Sequence, residues 1–214
     1  MELIGRGREA DVYADGADRV LRRFRDGRPA EQEARTIRWL GERGYPVPAV
    51  HAVDGADLVM ERLHGPTMTE ALRRRPWRGA AYGAMLGRLH RRLHALAGPP
   101  DWLPRLPDSE GAARLLHLDL HPDNVMLTSD GPRVVDWANA RAGAPEVDVA
   151  MTYVILRGIV LPPHERLMIR GFLWSMARTC GADRRTGMRA AAMRRLADPN
   201  LTGAEADLVR RLGA

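Results

Sequence analysis

The chain contains no lysine, so all 33 of its basic residues are arginine. Every cationic role therefore falls to a planar, always-charged guanidinium rather than to a compact ammonium. Together with abundant Arg, Ala and Gly, this absence reads as the composition of a GC-rich bacterial genome. Cysteine is nearly absent too: Cys180 stands alone. One thiol cannot make an internal disulfide, and a reducing cytoplasm is the default. No apolar signal region opens the N-terminus, and the one apolar run that approaches membrane length is interrupted by Arg157. No membrane association is expected. There are no internal repeats or low-complexity tracts, and the most linker-like stretch is the proline-rich Gly98 to Asp108. The tryptophans at 39, 77, 102, 137 and 174 stand singly, which suits packing better than base stacking. Despite a sequence pI near 10.5, the chain has no zinc module, recognition-helix signature or interleaved aromatic-basic motif. A specific nucleic-acid partner is not expected.

The positive charge is unevenly placed. From Met151 onward there are eleven Arg and five acids (Glu165, Asp183, Asp198, Glu205, Asp207), a net of +6. The preceding 150 residues then hold 33−11=22 basic and 27−5=22 acidic residues, a net of zero. At 214 residues and 45% hydrophobic, the chain can bury a sizeable core.

What stands out is His117-Leu-Asp119-Leu-His-Pro-Asp-Asn124, followed by Val135-Asp136-Trp137. It offers a carboxylate, a carboxamide and a second carboxylate. Phosphoryl transfer asks little covalent chemistry of a protein, but it requires nucleophile, metal and γ-phosphoryl group to be held in line. Asp119 would orient an acceptor hydroxyl and take its proton. Asn124 and Asp136 would give hard oxygen ligands to Mg²⁺. The flanks support a loop between strands. Leu115-Leu116 leads in, Val125-Met126-Leu127 leads out, Ser129-Asp130-Gly131-Pro132 turns the chain, and Arg133-Val134-Val135 delivers Asp136.

On these residues the chain resembles the aminoglycoside phosphotransferase-like small-molecule kinases (the aminoglycoside and choline kinase type). Their usual pattern is H-G-D-x-H-x-x-N followed by D-W. Leu118 departs from it, standing where the family usually has Gly. The resemblance implies an α+β, protein-kinase-like fold of two lobes. The N-lobe, residues 1–60, would be a small antiparallel sheet with one helix. A hinge at 61–65 would join it to a mostly helical C-lobe at 66–214. Further signposts follow in order. Gly5-Arg-Gly7-Arg-Glu-Ala10-Asp-Val12 would form a strand-turn-strand over the phosphates. The strand Arg19 to Phe24 occupies the place where kinases carry a phosphate-contacting lysine. Arg22 fits that role best, with Arg23 as the alternative. The helix from about Pro29 to Arg43 puts Ala30, Glu33, Ile37 and Leu40 on one face. Glu33 is the acid on that face and the expected partner of Arg22. Ala49 to Val53 and Leu58 to Met60 read as a hairpin. Glu61 to Gly65 resembles the hinge whose backbone meets the adenine edge, with Glu61 and Leu63 as candidates.

Other residues take bland readings. Thr67-Met-Thr-Glu70 is a capping box. His90 and His94, at i, i+4 on a helix from about Arg78 to Ala97, could ligate zinc but more readily pack beneath the catalytic loop. His121 would organise that loop, Asp123 would be exposed, and Asp148 matches a family position that buttresses the loop.

The expected activity is Mg²⁺-dependent transfer of the γ-phosphoryl group of ATP or GTP to a hydroxyl of a small molecule. The alternative is a nucleotide-binding pseudokinase with a regulatory role, suggested by the missing lysine. About ten residues separate Asp136 from the next apolar helix, which leaves no room for the activation segment of a protein kinase. Few acids lie in the C-terminal part, which argues against a polycationic aminoglycoside as acceptor. Neither the acceptor's identity nor the oligomeric state is written in the sequence.

Overall fold

Hydrophobic alternation in the first 61 residues sets up one antiparallel sheet, and longer helical periods dominate from residue 67 onward. The computed structural model describes residues 1–7, 9–96, 98–107, 113–159, 163–199 and 201–213, with backbone alone for 163–168. In chain order the elements are β1 (Leu3–Arg6), β2 (Ala10–Ala14), β3 (Arg19–Phe24), α1 (Glu31–Glu42), β4 (Val50–Asp54) and β5 (Asp57–Glu61). Then come α2 (Met68–Arg74), a 3₁₀ turn at Pro76–Arg78, α3 (Gly79–His94), β6 (Arg114–Leu116) and a 3₁₀ turn at Pro122–Asn124. The chain continues with β7 (Val125–Thr128), β8 (Gly131–Val134) and β9 (Arg141–Gly143). It ends with α4 (Pro145–Gly158), α5 (Pro163–Thr179), α6 (Arg184–Leu196) and α7 (Gly203–Gly213). Among the described residues no helix is long and apolar enough to cross a membrane.

The chain divides into two compact units. The first comprises Met1–Pro66 and Val125–Ala140, the second Thr67–Asn124 and Arg141–Ala214. A division at 60, 65 and 66 treats the chain as contiguous lobes. The β7–β8 hairpin instead groups with the N-terminal sheet, because its bonding partners lie there. Val134 N–H donates to Pro46 O at 2.8 Å and Leu127 N–H to Pro66 O at 2.9 Å. At Gly65, φ is +146° and an added Cβ would lie 2.1 Å from Leu127 O. Only glycine fits there.

In the first unit the sheet order is β1-β2-β3-β5-β4, all pairs antiparallel. The helix α1 buries Glu33, Ile37 and Leu40, with Ala30 just before it, as the i, i+3, i+7, i+10 stripe predicts. It stops at Gly44 (φ +70°), where Tyr45 N–H reaches back to Leu40 O at 3.0 Å. The β7–β8 register pairs Val125 with Val134 and Thr128 with Gly131. The turn is therefore shorter than the sequence suggests: Gly131 and Pro132 already belong to β8.

The second unit is helical. The Thr67 hydroxyl accepts Glu70 N–H while the Glu70 carboxylate accepts Thr67 N–H, the expected capping box. Two short strands, β6 and β9, pair antiparallel with Leu116 opposite Arg141. The strand β9 has too little local pattern to be read from sequence. Helices α4, α6 and α7 share a core of Ala150, Val154, Ala191 and Val209. An added Cβ on Gly187 would lie 2.4 Å from Glu146 O, so this glycine lets α6 approach the start of α4.

The contact between α3 and α5 is closer still. A Cβ on Gly83 would lie 2.1 Å from Phe172 O, and one on Gly87 2.5 Å from Met176 O. By contrast, a Cβ on Gly171 of α5 would meet nothing within 4 Å. The same substitution should therefore act with opposite signs. Gly83→Ala is expected to lower stability by about 1–3 kcal/mol through overpacking. Gly171→Ala should raise it by up to about 1 kcal/mol through helix propensity. Urea unfolding midpoints of the two variants check both signs.

Candidate active site

In the first unit a single buried carboxylate organises three chain segments. Glu33, 2% exposed on α1, pairs with the Arg22 guanidinium of β3 through Oε2. Its other oxygen, Oε1, accepts the backbone N–H of Trp137 at 3.0 Å. Arg22 also donates through NH2 to Asp136 Oδ1 at 2.7 Å. Burial pushes the Glu33 carboxyl up to about 7, against the pull of the Arg22 guanidinium and the Trp137 N–H. Of the two arginines open from the sequence, Arg22 makes the pairing with Glu33. Arg23, on the opposite face of β3, binds Asp57 through Nε at 2.6 Å. Trp137 is fully buried, its Nε1–H donating to Val134 O at 3.1 Å and its ring edge-on to Tyr45.

Asp136 has φ +65°, a left-handed conformation that costs a non-glycine residue energy but is least costly for Asp and Asn. Its side chain is 38% exposed, and Oδ2 has no hydrogen-bond partner among the described residues.

The second unit carries the loop after β6. Asn124 Nδ2 donates to Asp119 O at 2.8 Å and to Asp119 Oδ2 at 3.2 Å. The carboxamide is thus fixed by its nitrogen, which leaves Oδ1 as the atom available to a cation. Asp119 Oδ1 lies 3.6 Å from His121 Nε2. Burial raises the Asp119 carboxyl, but hydrogen bonding and charge from His121, then His117 and Arg195, hold it below the usual carboxylate range. His121 is pulled down by burial and raised to about 9 by Asp119 and Asp123, so it is a cation at neutral pH. Asp123 is exposed, as expected. His117 is fully buried, and its Nδ1 accepts Asp119 N–H at 3.2 Å.

Beneath the loop lies Asp148, fully buried on α4. Its Oδ1 accepts Leu118 N–H at 2.6 Å, and its Oδ2 bonds His94 Nε2 at 2.9 Å and sits 3.4 Å from His90 Nδ1. Burial raises this carboxyl, but the two imidazoles hold it well below its ordinary value. His90 is itself held down by burial. His90 Nε2 contacts the Thr152 hydroxyl at 3.0 Å, and that hydroxyl donates to Leu120 O at 2.6 Å. His90, His94 and Asp148 could in principle hold a metal ion. The carboxylate, however, is already occupied by Leu118 N–H and His94, so the cluster is a hydrogen-bonded buttress. Leu118 has φ +64°. Sequence reasoning gave each histidine a packing role but did not foresee that Asp148, more than 50 residues away, ties them to the loop.

The remaining candidates lie in the first unit. Gly7 N–H donates to Ala10 O at 2.9 Å, closing the turn between β1 and β2, and a Cβ on Gly7 would lie 3.0 Å from that oxygen. Gly5 faces Val12 across the pair. Arg8, between them and Ala10, lies outside the described residues. Glu61 is tied to Ala49, the residue before β4, its N–H donating to Ala49 O at 2.8 Å and its Oε2 accepting Ala49 N–H at 3.0 Å. The backbone of Leu63 has no hydrogen-bond partner among the described residues.

Each unit offers one free oxygen donor, the neutral Asn124 Oδ1 in the second and the anionic Asp136 Oδ2 in the first. Oxygen donors of both kinds suit a hard divalent cation.

No curated protein sequence matches the chain. Among solved structures, APH(2″)-IIIa bound to GDP and kanamycin aligns over 98% of this chain and 91% of its own, with a TM-score of 0.65 and 15% identity. An aminoglycoside-3′-phosphotransferase of type VIII aligns over 99% and 90%, with a TM-score of 0.57 and 18% identity. The amicoumacin kinase hAmiN, in complex with AMP-PNP, Ca²⁺ and Ami, aligns over 99% and 86%, with a TM-score of 0.56 and 16% identity. At these identities the likeness establishes the kinase-like α+β fold. The sequence model described as "Phosphotransferase enzyme family" matches residues 1–109 and 100–181. With most of its length matched, the chain belongs to the phosphotransferase enzyme family.

Proposed function

We propose that the chain transfers the γ-phosphoryl group of ATP or GTP, as the Mg²⁺ complex, to a hydroxyl of a small molecule. The observation that carries this reading is the posture of Asn124. Its amide nitrogen grips Asp119, so one loop presents an ionised base and a cation-ready carboxamide oxygen together. Asp119 accepts the acceptor hydroxyl's proton as the oxygen attacks phosphorus and the bond from the γ-phosphorus to the bridging oxygen breaks. His121, cationic beside Asp119, keeps the carboxylate ionised and fixes its orientation. Asn124 and Asp136 are the residues that would hold Mg²⁺. The ion, when bound, neutralises charge on the phosphate oxygens. Arg22, positioned by Glu33, contacts the phosphates in the place of lysine, and its fork allows bidentate contact. The Gly5 to Gly7 turn covers the phosphates, and the backbone at Glu61 and Leu63 meets the purine edge. Buried Cys180 and the arginine-only composition fit a bacterial cytoplasmic setting.

Asp119→Asn should lower turnover by about 10²–10⁴-fold, the usual worth of a positioned base. Nucleotide binding, read by thermal shift, should persist. Wild-type turnover by this variant would sink the assignment. Loss of turnover across a broad alcohol panel in the wild type, with nucleotide still bound, would favour the pseudokinase instead.

Asp136→Ala is expected to remove the Mg²⁺-dependent part of nucleotide stabilisation. Melting curves with nucleotide, with and without Mg²⁺, check this. An undiminished Mg²⁺ increment would exclude Asp136 as a ligand.

Arg22→Met leaves Glu33 buried without its cation and should cost about 3–5 kcal/mol of stability. Adding Glu33→Leu should restore much of that loss, while nucleotide stabilisation stays absent. Urea melts and thermal shifts on the pair separate the structural role of the two residues from the binding role.

A further inference from the structure

Asp119 is held from both sides by one helix. The residue before it, Leu118, gives its N–H to Asp148 Oδ1 at 2.6 Å. The residue after it, Leu120, accepts the Thr152 hydroxyl on its carbonyl, also at 2.6 Å. Asp148 and Thr152 stand four residues apart on α4, so one turn of helix presents both groups to the loop. Both are fully buried, as are Leu120 and His90, so no bulk water competes for these bonds.

The direction of each bond follows from counting protons. A threonine hydroxyl carries one. It lies 2.6 Å from Leu120 O but 3.5 Å from Asp148 O, so the proton goes to Leu120. The Thr152 oxygen is then an acceptor toward His90 Nε2, 3.0 Å away, and His90 donates from that nitrogen. The chain of donors runs from His90 on α3, through Thr152 on α4, to the carbonyl beside the proposed base. Asn124 and His117 fix Asp119 within the loop, through its carbonyl, carboxylate and N–H. Asp148 and Thr152 fix the loop to the helix. With Leu118 alone held, rotation at Leu118, Asp119 and Leu120 would still swing the carboxylate; the second clamp removes that freedom.

We propose that Thr152, oriented by His90, is a positioning residue for phosphoryl transfer, acting through the Leu120 carbonyl on the direction of the Asp119 carboxylate. The inference rests on the reading of Asp119 as the base.

The test follows release of ADP or GDP from Mg-ATP or Mg-GTP with glycerol, glycerate, choline and kanamycin as acceptors, the best-used acceptor being kept for every variant. Thr152→Val keeps the shape and removes the hydroxyl. It should lower kcat by about 10²-fold, the effect of an ångström-scale misplacement, with KM for the nucleotide little changed. Thr152→Ser should recover most of kcat. His90→Leu removes the outer donor and should lower kcat by about 5–10-fold, the worth of one hydrogen bond. His90→Gln, whose amide N–H can stand in for Nε2–H, should recover it, and this pair decides the matter where valine at 152 prevents folding. A merely structural residue would show its loss in melting temperature alone, with kcat per folded molecule at the wild-type level. That result, or failure of serine and glutamine to rescue, overturns the proposal.

Two further readouts separate this inference from the one beneath it. In an Asp119→Asn background, Thr152→Val should bring no further loss, because the group it positions is gone; an additive loss overturns the proposal. Full turnover by Thr152→Val beside an inactive Asp119→Asn overturns it while leaving Asp119 as the base. Wild-type turnover by Asp119→Asn removes the base, and this role of Thr152 with it. Independently of turnover, nitrogen NMR of the His90 ring should show Nε2 protonated. A ring bare at Nε2 would reverse the order of donors and overturn the proposal.

Discussion

Three segments of the first unit depend on keeping one carboxylate, Glu33, out of water. A carboxylate with 2% exposure must have its oxygens satisfied or give up its charge. One oxygen takes Arg22 from β3, and the other takes the Trp137 N–H that follows Asp136. Three segments far apart in sequence are therefore fixed by a single side chain. Such buried ion pairs add little net stability, because desolvation offsets the Coulomb attraction. Geometry is the better explanation for this one: it sets where Arg22 points and which way the backbone turns at Asp136.

The second unit solves a similar problem by similar means. Asp148 is buried, and its carboxylate accepts Leu118 N–H while the imidazole of His94 bonds the other oxygen. In both units a buried acid accepts a backbone N–H at or next to a left-handed residue, Leu118 or Asp136. The two positions are the positive-φ non-glycine residues of the described chain. Left-handed backbone costs a residue with a side chain about 1–3 kcal/mol. A hydrogen bond to a charged acceptor contributes about 1.5–3 kcal/mol, enough to offset it. Strain of this kind persists where the surroundings over-determine it, and here each strained residue touches the proposed chemistry. Leu118 also explains why glycine is the usual occupant of its position in the resembling family. Glycine needs no compensation at φ +64°, whereas leucine needs Asp148 and a buried pocket, where it is 3% exposed.

These devices divide what sequence could reveal from what it could not. The α1 stripe was legible because helical period places Glu33 with Ile37 and Leu40. Strand alternation made Arg22 rather than Arg23 the inward residue of β3. The Thr67–Glu70 box was legible because both partners are local. The grouping of β7–β8 with the N-terminal sheet was hidden, since it depends on the carbonyls of Pro66 and Pro46, 61 and 88 residues before their donors Leu127 and Val134. So was the tie from His94 to Asp148, where neither residue's neighbours signal the other. The strand β9 is three residues long and has no period to detect. Left-handed backbone at Leu118 runs against leucine's own preference, so local propensity points the wrong way.

The missing lysine illustrates the same division for charge. With 33 arginines and no lysine, the identity of a cation carries little information, because a genome-wide bias can place arginine anywhere. Its partners carry the information instead. In the first unit Arg22, Arg23, Arg25 and Arg28 each face a carboxylate: Glu33 with Asp136, Asp57, Asp11, and Glu9 with Asp26. These pairs neutralise the four guanidinium groups within the unit itself. In the second unit acids are too few to pair every guanidinium. Arg195 takes Asp198 and Arg210 takes Asp207, each three residues away in the chain. A sequence-wide preference for arginine places the cation, but the position of an acid decides which guanidinium is held.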